Sequence, residues 1–332
     1  MGATVAPERI LRQLADLWVT LGKQGEPENS AGVLRACAMT LVVLAEESED
    51  VTNLGETIAA LMPEHPARAI LIRLRASGER SLGERVYAQC WMPFGQRRQI
   101  CCEQVEITAS DAALEDLPSV LLPLVVADLP VILWCRSARL VQMPAFGEMA
   151  RMVTRVVVDS GGSAHGGDGR AMLQRLAAEV ERGVAMGDLA WTRLTPWREM
   201  LALLFENQKN LERLHGMVQV GVRSGTTAIS TTALYMAAWV KDALETAGLA
   251  ASVTIGTSEA GSIELIGEGL EVRVERRDNR MVTTVDGLAQ CTKLPAPSDY
   301  SLMREELRIT ARDPIFEKAL ASAARLAYAT DK

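Results

Sequence analysis

The sequence predicts an α/β protein in two lobes: a mixed sheet with helices on its faces, then a smaller α+β lobe. Three observations predict it. Over the first half of the chain, strand-like apolar runs alternate with helical patterns, the order that builds a sheet covered by helices. Residues 37–45 (CAMTLVVLA) are apolar without interruption, as in a strand buried on both faces. After a strand at 217–223 and a long helix at 231–247, four strand-like runs follow in succession, at 252–256, 262–266, 270–276 and 281–285. They suggest an antiparallel sheet backed by that helix and a terminal one at 313–328.

The elements of the first lobe follow from local pattern. Ile10, Leu11, Leu14, Leu17, Trp18 and Leu21 recur at helical spacing over 8–21, and Gly22 stops the helix. A polar linker follows. A short helix near 51–62 ends at Pro63-Glu64-His65-Pro66. Residues 69–74, 85–92 and 99–108 read as strands, the last two joined through Pro93-Phe94-Gly95 as a hairpin. Ser110 or Asp111 can cap a helix running to about Ala127, and Val131–Cys135 is another buried strand. A helix near 145–151 precedes a strand at 155–158. The glycine-rich stretch 161–169 (GGSAHGGDG) then leads into a helix at 170–182. In the segment 188–206, Thr195 is a good N-cap, Pro196 suits the first helical position, and Glu199 lies in the first turn. The expected division is an N-terminal helix and linker (1–30), an α/β domain (31–187), a bridging helix (188–210) and an α+β domain (211–332).

Composition excludes several classes. The chain has 332 residues, 48% apolar and 23% charged, an ordinary globular profile long enough for two domains. A net charge of −7 repels phosphate backbones and anionic membranes, and no long basic run offsets it. The first residues contain no apolar core of a signal peptide, and the apolar stretch 117–134 is broken by Pro118, Pro123, Asp128 and Pro130. A soluble, intracellular protein without nucleic-acid or membrane partners is expected. Six cysteines form no C-x-x-C pair and three histidines are scattered, so no zinc site is expected. Adjacent Cys101 and Cys102 point to opposite faces of a strand, and reduced, structural thiols are the expectation.

Little in the sequence looks catalytic. The loop 161–169 lies between a strand and a helix, where Ser160, Gly161 and Gly162 could set amides around an anion. It matches neither nucleotide-binding glycine fingerprint, and the alternative is a surface connection. His65 and Arg68 form a second candidate anion pair; the alternative is that the prolines shape a turn and Arg68 pairs with a carboxylate. No nucleophile elbow, zinc helix or paired-carboxylate set is present, and the motifs call for no cofactor. Trp191, Arg193, Trp197 and Arg198 crowd one short segment, and Trp and Arg are enriched at energetic centres of protein interfaces. They are the candidate partner-binding residues. The alternative is that the tryptophans are core and the arginines pair internally.

Several separated stretches carry a family likeness. They are His65-Pro66-x-Arg68, Cys101-Cys102-Glu103-Gln104, Leu122-Pro123-Leu124, Asp128-Leu129-Pro130-Val131 with Trp134, Val158-Asp159-Ser160, and Asp188 through Glu199 (DLAWTRLTPWRE). In these the chain resembles the OpcA family, proteins that assemble or activate glucose-6-phosphate dehydrogenase. Thr40 stands where that family's pattern has asparagine, and Cys135 where it has a second tryptophan. The resemblance implies a cytoplasmic, non-catalytic partner of glucose-6-phosphate dehydrogenase that supports the oxidative pentose phosphate pathway. The competing expectation is a sugar-phosphate- or nucleotide-binding protein or enzyme using loop 161–169.

Overall fold

Eight consecutive residues, Met39–Glu46, bury seven side chains, and such a strand needs cover on both faces. It lies at the middle of the first sheet. The computed structural model describes residues 6–24, 33–92, 99–161 and 169–329. In chain order the elements begin with helix α1 (Pro7–Gln24), strands β1 (Val33–Arg35) and β2 (Met39–Glu46), helix α2 (Val51–Leu61), and strands β3 (Ala67–Arg75), β4 (Leu82–Trp91) and β5 (Gln99–Ser110). Then come α3 (Leu117–Leu121), β6 (Val131–Cys135), α4 (Ala138–Val141), α5 (Pro144–Arg151) and β7 (Arg155–Val158). Next are α6 (Gly169–Glu181), β8 (Met186–Asp188), α7 (Leu189–Thr192), α8 (Thr195–Glu206) and α9 (Gln208–Arg213). The remainder is β9 (Met217–Ser224), α10 (Thr231–Thr246), β10 (Ser252–Thr257), β11 (Ser262–Gly267), β12 (Leu270–Arg277), β13 (Arg280–Val285), β14 (Leu288–Lys293), α11 (Asp299–Glu306) and α12 (Pro314–Ala329).

Among the described residues the first sheet runs β1-β5-β3-β2-β6-β7-β8, with β4 paired to β5. Its central pairs β3–β5, β2–β3, β2–β6 and β6–β7 are parallel, and β4–β5 is the predicted antiparallel hairpin. The second sheet runs β10-β9-β11-β12-β13-β14. It is mixed, not purely antiparallel, because the helix α10 connects β9 to a parallel neighbour, β10. The fold class is α/β as predicted, and no helix among the described residues is long and apolar enough to cross a membrane.

The chain forms two compact units whose boundaries differ from the sequence-based division. The first contains residues up to Val158 together with Gly183–Met186 and Asp299–Arg312; the second holds Asp159–Arg182, Gly187–Ser298 and Asp313–Lys332. Helix α8 falls within the second unit. In the first unit Arg155, 1% exposed, donates to Glu306 (2.7 Å) and to the Ile309 carbonyl (2.7 Å). These bonds fix the returning segment 299–312. In the second, Trp191, Tyr235 and Phe316 pack ring against ring with centroids 5.8–6.2 Å apart.

Three local expectations need correction. The helix expected from 110 to 127 is broken into a 3-10 turn (Asp111–Asp116), α3 and a second 3-10 turn (Leu122–Leu124), because Pro118 and Pro123 remove backbone donors. Thr195 is the first residue of α8, not its cap; Leu194 precedes it without a side-chain cap. Cys90 and Cys101, direct partners in the β4–β5 register, form a disulfide, so the expectation of wholly reduced thiols fails. The turn at 93–95 lies outside the described residues.

Candidate functional site

Open α/β sheets bind ligands beyond the carboxyl ends of their strands, where the strand order reverses. Here that point falls between β2 and β6, since β3 and β5 continue to one side and β7 to the other. A dinucleotide fold has a glycine-rich turn there, with free amides for the pyrophosphate. This chain has Glu46-Glu47-Ser48-Glu49-Asp50. Asp50 takes the first amides of α2, accepting from Thr52 N (2.9 Å) and Asn53 N (3.4 Å). Arg136, just past β6, binds Glu49 and Asp299 at 2.6 Å each and lies 4.8 Å from the centre of the Trp134 ring. Ser137 donates to Glu46, and Arg139 joins Glu46 (2.9 Å) to Asp111 (2.6 Å). Acids line the turn, and ion pairs tie the two strand ends together where a phosphate would have to enter.

The segment singled out for partner binding lies in the second unit, and its four residues part company. Trp191 is 3% exposed and belongs to the aromatic core. Arg193 spends its fork on Asp159, with bonds of 2.6 and 2.7 Å. Arg198 lies over Trp191, its guanidinium carbon 3.8 Å from the ring centre, and donates to Thr195 Oγ1 (3.0 Å). The internal-pairing alternative therefore describes Trp191 and Arg193. Trp197 and Arg198 stand half-exposed on α8.

Asp188, fully buried, organises this region. Its Oδ1 accepts from Ser160 N (3.0 Å) and Ala190 N (2.9 Å), and its Oδ2 from the Tyr235 hydroxyl (2.9 Å). Burial, and then the Asp159 carboxylate, push its pKa above the ordinary aspartate range. Gly161 N donates to Asp159 (3.1 Å). The amides of Ser160 and Gly161, expected to cradle an anion, are thus already given to carboxylates. Gly162 lies outside the described residues.

The other candidate anion pair is in the first unit. Arg68 is buried, donating to Glu103 (2.5 Å) and the Leu124 carbonyl (2.6 Å). Glu103 also receives Trp18 Nε1 (2.6 Å) and Arg35 (2.8 Å). Arg68 is a structural cation, as the alternative had it. Half-buried His65 follows Glu64, whose carboxylate binds Arg304 at 2.7 and 2.8 Å, and burial lowers the histidine's pKa. Sequence reading missed Glu103 as the hub, although it sits inside the quoted Cys101–Gln104 stretch. It also missed Arg136, for which the sequence held no signal.

Helix α8 is the exception to this inward pairing. Seven of its twelve residues are apolar, yet Leu201 alone among them is buried. Leu203 is 59% exposed, and Trp197, Met200, Leu204 and Phe205 are half-buried. The stripe Leu201-Leu204-Phe205 is only partly covered.

The sequence matches two family profiles, described as the glucose-6-phosphate dehydrogenase subunit N-terminal domain (residues 57–178) and C-terminal domain (residues 184–320). The chain belongs to the OpcA family. Its curated OpcA relatives carry the name OxPP cycle protein OpcA. That of Synechocystis sp. is 26% identical over 216 residues, covering 64% of this chain and 44% of the relative. That of Nostoc punctiforme is 30% identical over 148 residues, covering 44% and 30%. The chain thus spans less than half the length of the OpcA relatives it matches. Solved structures with a distant likeness include biliverdin reductase from Synechocystis sp. (10% identity, 87% of this chain and 98% of that one, TM-score 0.43). Another is UDP-N-acetylglucosamine 3-dehydrogenase from Acidithiobacillus ferrooxidans (11% identity, 87% and 97%, TM-score 0.43). At that distance the likeness passes no cofactor or activity to this OpcA chain. The family's asparagine position holds Thr40, whose buried Oγ1 accepts from Val126 N (3.0 Å). Cys135, at the second tryptophan position, is buried and its thiol pKa is pushed up to about 12 by desolvation.

Proposed function

We propose that this chain is a cytoplasmic, non-catalytic partner of glucose-6-phosphate dehydrogenase that supports the enzyme's active assembly in the oxidative pentose phosphate pathway. The observation that carries the reading is α8, an apolar helix with one buried residue in a family described as a subunit of that dehydrogenase. Such a helix is stabilised by a groove on a partner, with anchors at helical spacing. Trp197, Met200 and Leu204 supply that spacing, and Leu203 lies beside them. Arg198, held over Trp191, adds a cation for the same partner. The acidic, ion-paired ends of β2 and β6 support the non-catalytic half of the reading, since they oppose a dinucleotide.

The test mixes the purified chain with glucose-6-phosphate dehydrogenase and follows both elution on size exclusion and NADP-dependent turnover. A shifted complex with raised turnover is expected. Unchanged elution and turnover would overturn the docking half, and glucose 6-phosphate oxidation by the chain alone would overturn the non-catalytic half.

A further inference from the structure

Strand β14 ends the second sheet, and every one of its residues is exposed, Leu288 by 79%. An open edge invites pairing with another chain, and sheets blunt it with charge, proline, bulges or short strands. The strands at the ends of the first sheet, β1 and β8, have three residues each. Strand β14 has none of these guards but Lys293: it carries no proline, and its register with β13 runs unbroken from Val285↔Leu288 to Arg280↔Lys293. Asp286 (φ 48°) and Gly287 (φ 83°) form the two-residue turn between them, which makes Val285 and Leu288 a hydrogen-bonded pair. Alternation then points the backbone groups of Leu288, Gln290 and Thr292 at β13, and those of Ala289, Cys291 and Lys293 outward. The Leu294 amide, donating to the Asn279 carbonyl (2.7 Å), continues that alternation.

Charge is divided between the two ends of this hairpin. Arg280 and Lys293 stand directly opposite each other, and neither has an ion-pair partner among the described residues. Like charges so placed are destabilising. At the turn end, Asp286 binds Arg213 (2.7 Å), and the Glu271 amide donates to Asp286 (3.0 Å), which brings a second, exposed acid there. Antiparallel pairing of two such hairpins sets the basic end of each beside the acidic end of the other. The arrangement is self-complementary, as a two-fold interface requires.

We infer that β14 pairs antiparallel with β14 of a second copy of this chain, about a two-fold axis near Cys291, with each Lys293 beside the other copy's Asp286 turn. One strand pair is a small interface, so the dimer should be weak and should form with rising concentration. Light scattering and sedimentation of the full chain over a concentration series measure it. A short bifunctional maleimide should join Cys291 to Cys291, identified as one cross-linked peptide by mass spectrometry. Cys291→Pro removes an outward amide that the chain's own sheet does not use, so it should weaken the dimer at least about tenfold with little change in melting point. Lys293→Glu relieves the clash with Arg280 and should weaken the dimer with the melting point equal or higher, which keeps the test open if the proline variant misfolds. A monomer at every soluble concentration, or a dimer that both variants leave intact, overturns the proposal. Growth into larger species also overturns it, assigning β14 to the opposite edge, β10, of the next copy. A monomer whose complex with glucose-6-phosphate dehydrogenase is lost in both variants overturns it in favour of that enzyme as the occupant.

Discussion

Arg193 holds Asp159 through two parallel hydrogen bonds, 2.6 and 2.7 Å, across 34 residues of sequence. A bidentate pair of this kind fixes orientation as well as charge. Arg193→Ala should therefore lower stability by roughly 1–3 kcal/mol, with the partial exposure of the arginine keeping the figure below that of a fully buried pair. A double-mutant cycle with Asp159→Ala, read by denaturant melts, should show most of this as coupling energy. Additive losses would mean the two side chains do not depend on each other.

Substitutions on α8 should behave in the opposite way. Leu203→Asp replaces an exposed leucine and should change stability by no more than about 0.5 kcal/mol. The same change, or Trp197→Ala, should weaken the complex with the dehydrogenase by about 2 kcal/mol, as interface anchors do. Titration of turnover against added chain measures it, and unchanged half-saturation in both variants would remove α8 from the interface.

Asp188 makes a prediction about pH. Its pKa is raised above the ordinary 3.8, so the fold disfavours the ionised form. The resulting penalty is full above the raised value and is relieved as pH falls through it towards 3.8. Asp188→Asn keeps an oxygen for Ser160 N and Ala190 N, and its amide can donate to the Tyr235 hydroxyl. At neutral pH the asparagine variant should stay within about 1 kcal/mol of wild type. As pH falls through the raised value towards 3.8, wild type should gain stability relative to the variant. Asp188→Ala removes the acceptor shared by Ser160 N, Ala190 N and the Tyr235 hydroxyl and should cost about 3 kcal/mol or more. Parallel melting curves that show no pH-dependent difference between wild type and the asparagine variant would contradict this.

Arg155 and Glu306 form a pair with both side chains 3% exposed or less. Removing the arginine alone should destabilise the fold by roughly 3–5 kcal/mol, because a carboxylate stays buried without its cation. Arg155→Met with Glu306→Leu should recover most of that loss. Chemical denaturation of the three proteins decides it, and a double variant no better than Arg155→Ala would show that the segment needs the charge itself.

The Cys90–Cys101 bridge closes a short loop, with a separation of 11 residues. Under non-reducing digestion the two peptides should run as one species by mass spectrometry. Reduction should lower the melting point by an amount matching about 2–3 kcal/mol, the scale for a loop of this length. Separate peptides from an oxidised sample would refute the bridge.

Local pattern carried much of the fold. The run 37–45, the β4–β5 hairpin and the helix at 231–246 were legible because each buries its own side chains at its own period. What was not legible lacked such a signal. Strand β14 is exposed at every residue, β8 has three residues, and α11 (DYSLMREE) has too few apolar positions to show a stripe. The site was harder. Trp191 looked like an interface residue and proved to be core, since composition cannot say which side of a short helix meets Tyr235 and Phe316. The partners of Arg193, Arg68 and Arg136 lie 34, 35 and 163 residues away, and no spacing rule links them.

The return of Asp299–Arg312 into the first unit sets a condition on synthesis. A nascent chain that has emerged only as far as the gap between the two family profiles, residues 179–183, carries Arg155 and Arg136 without Glu306 and Asp299. The first unit cannot complete its interior until the segment ending at Arg312 has been made and has joined it. Domain-by-domain folding, the usual route for a chain of this size, is therefore closed to it. A fragment cut between the two profiles would be an unfinished core, not a free domain.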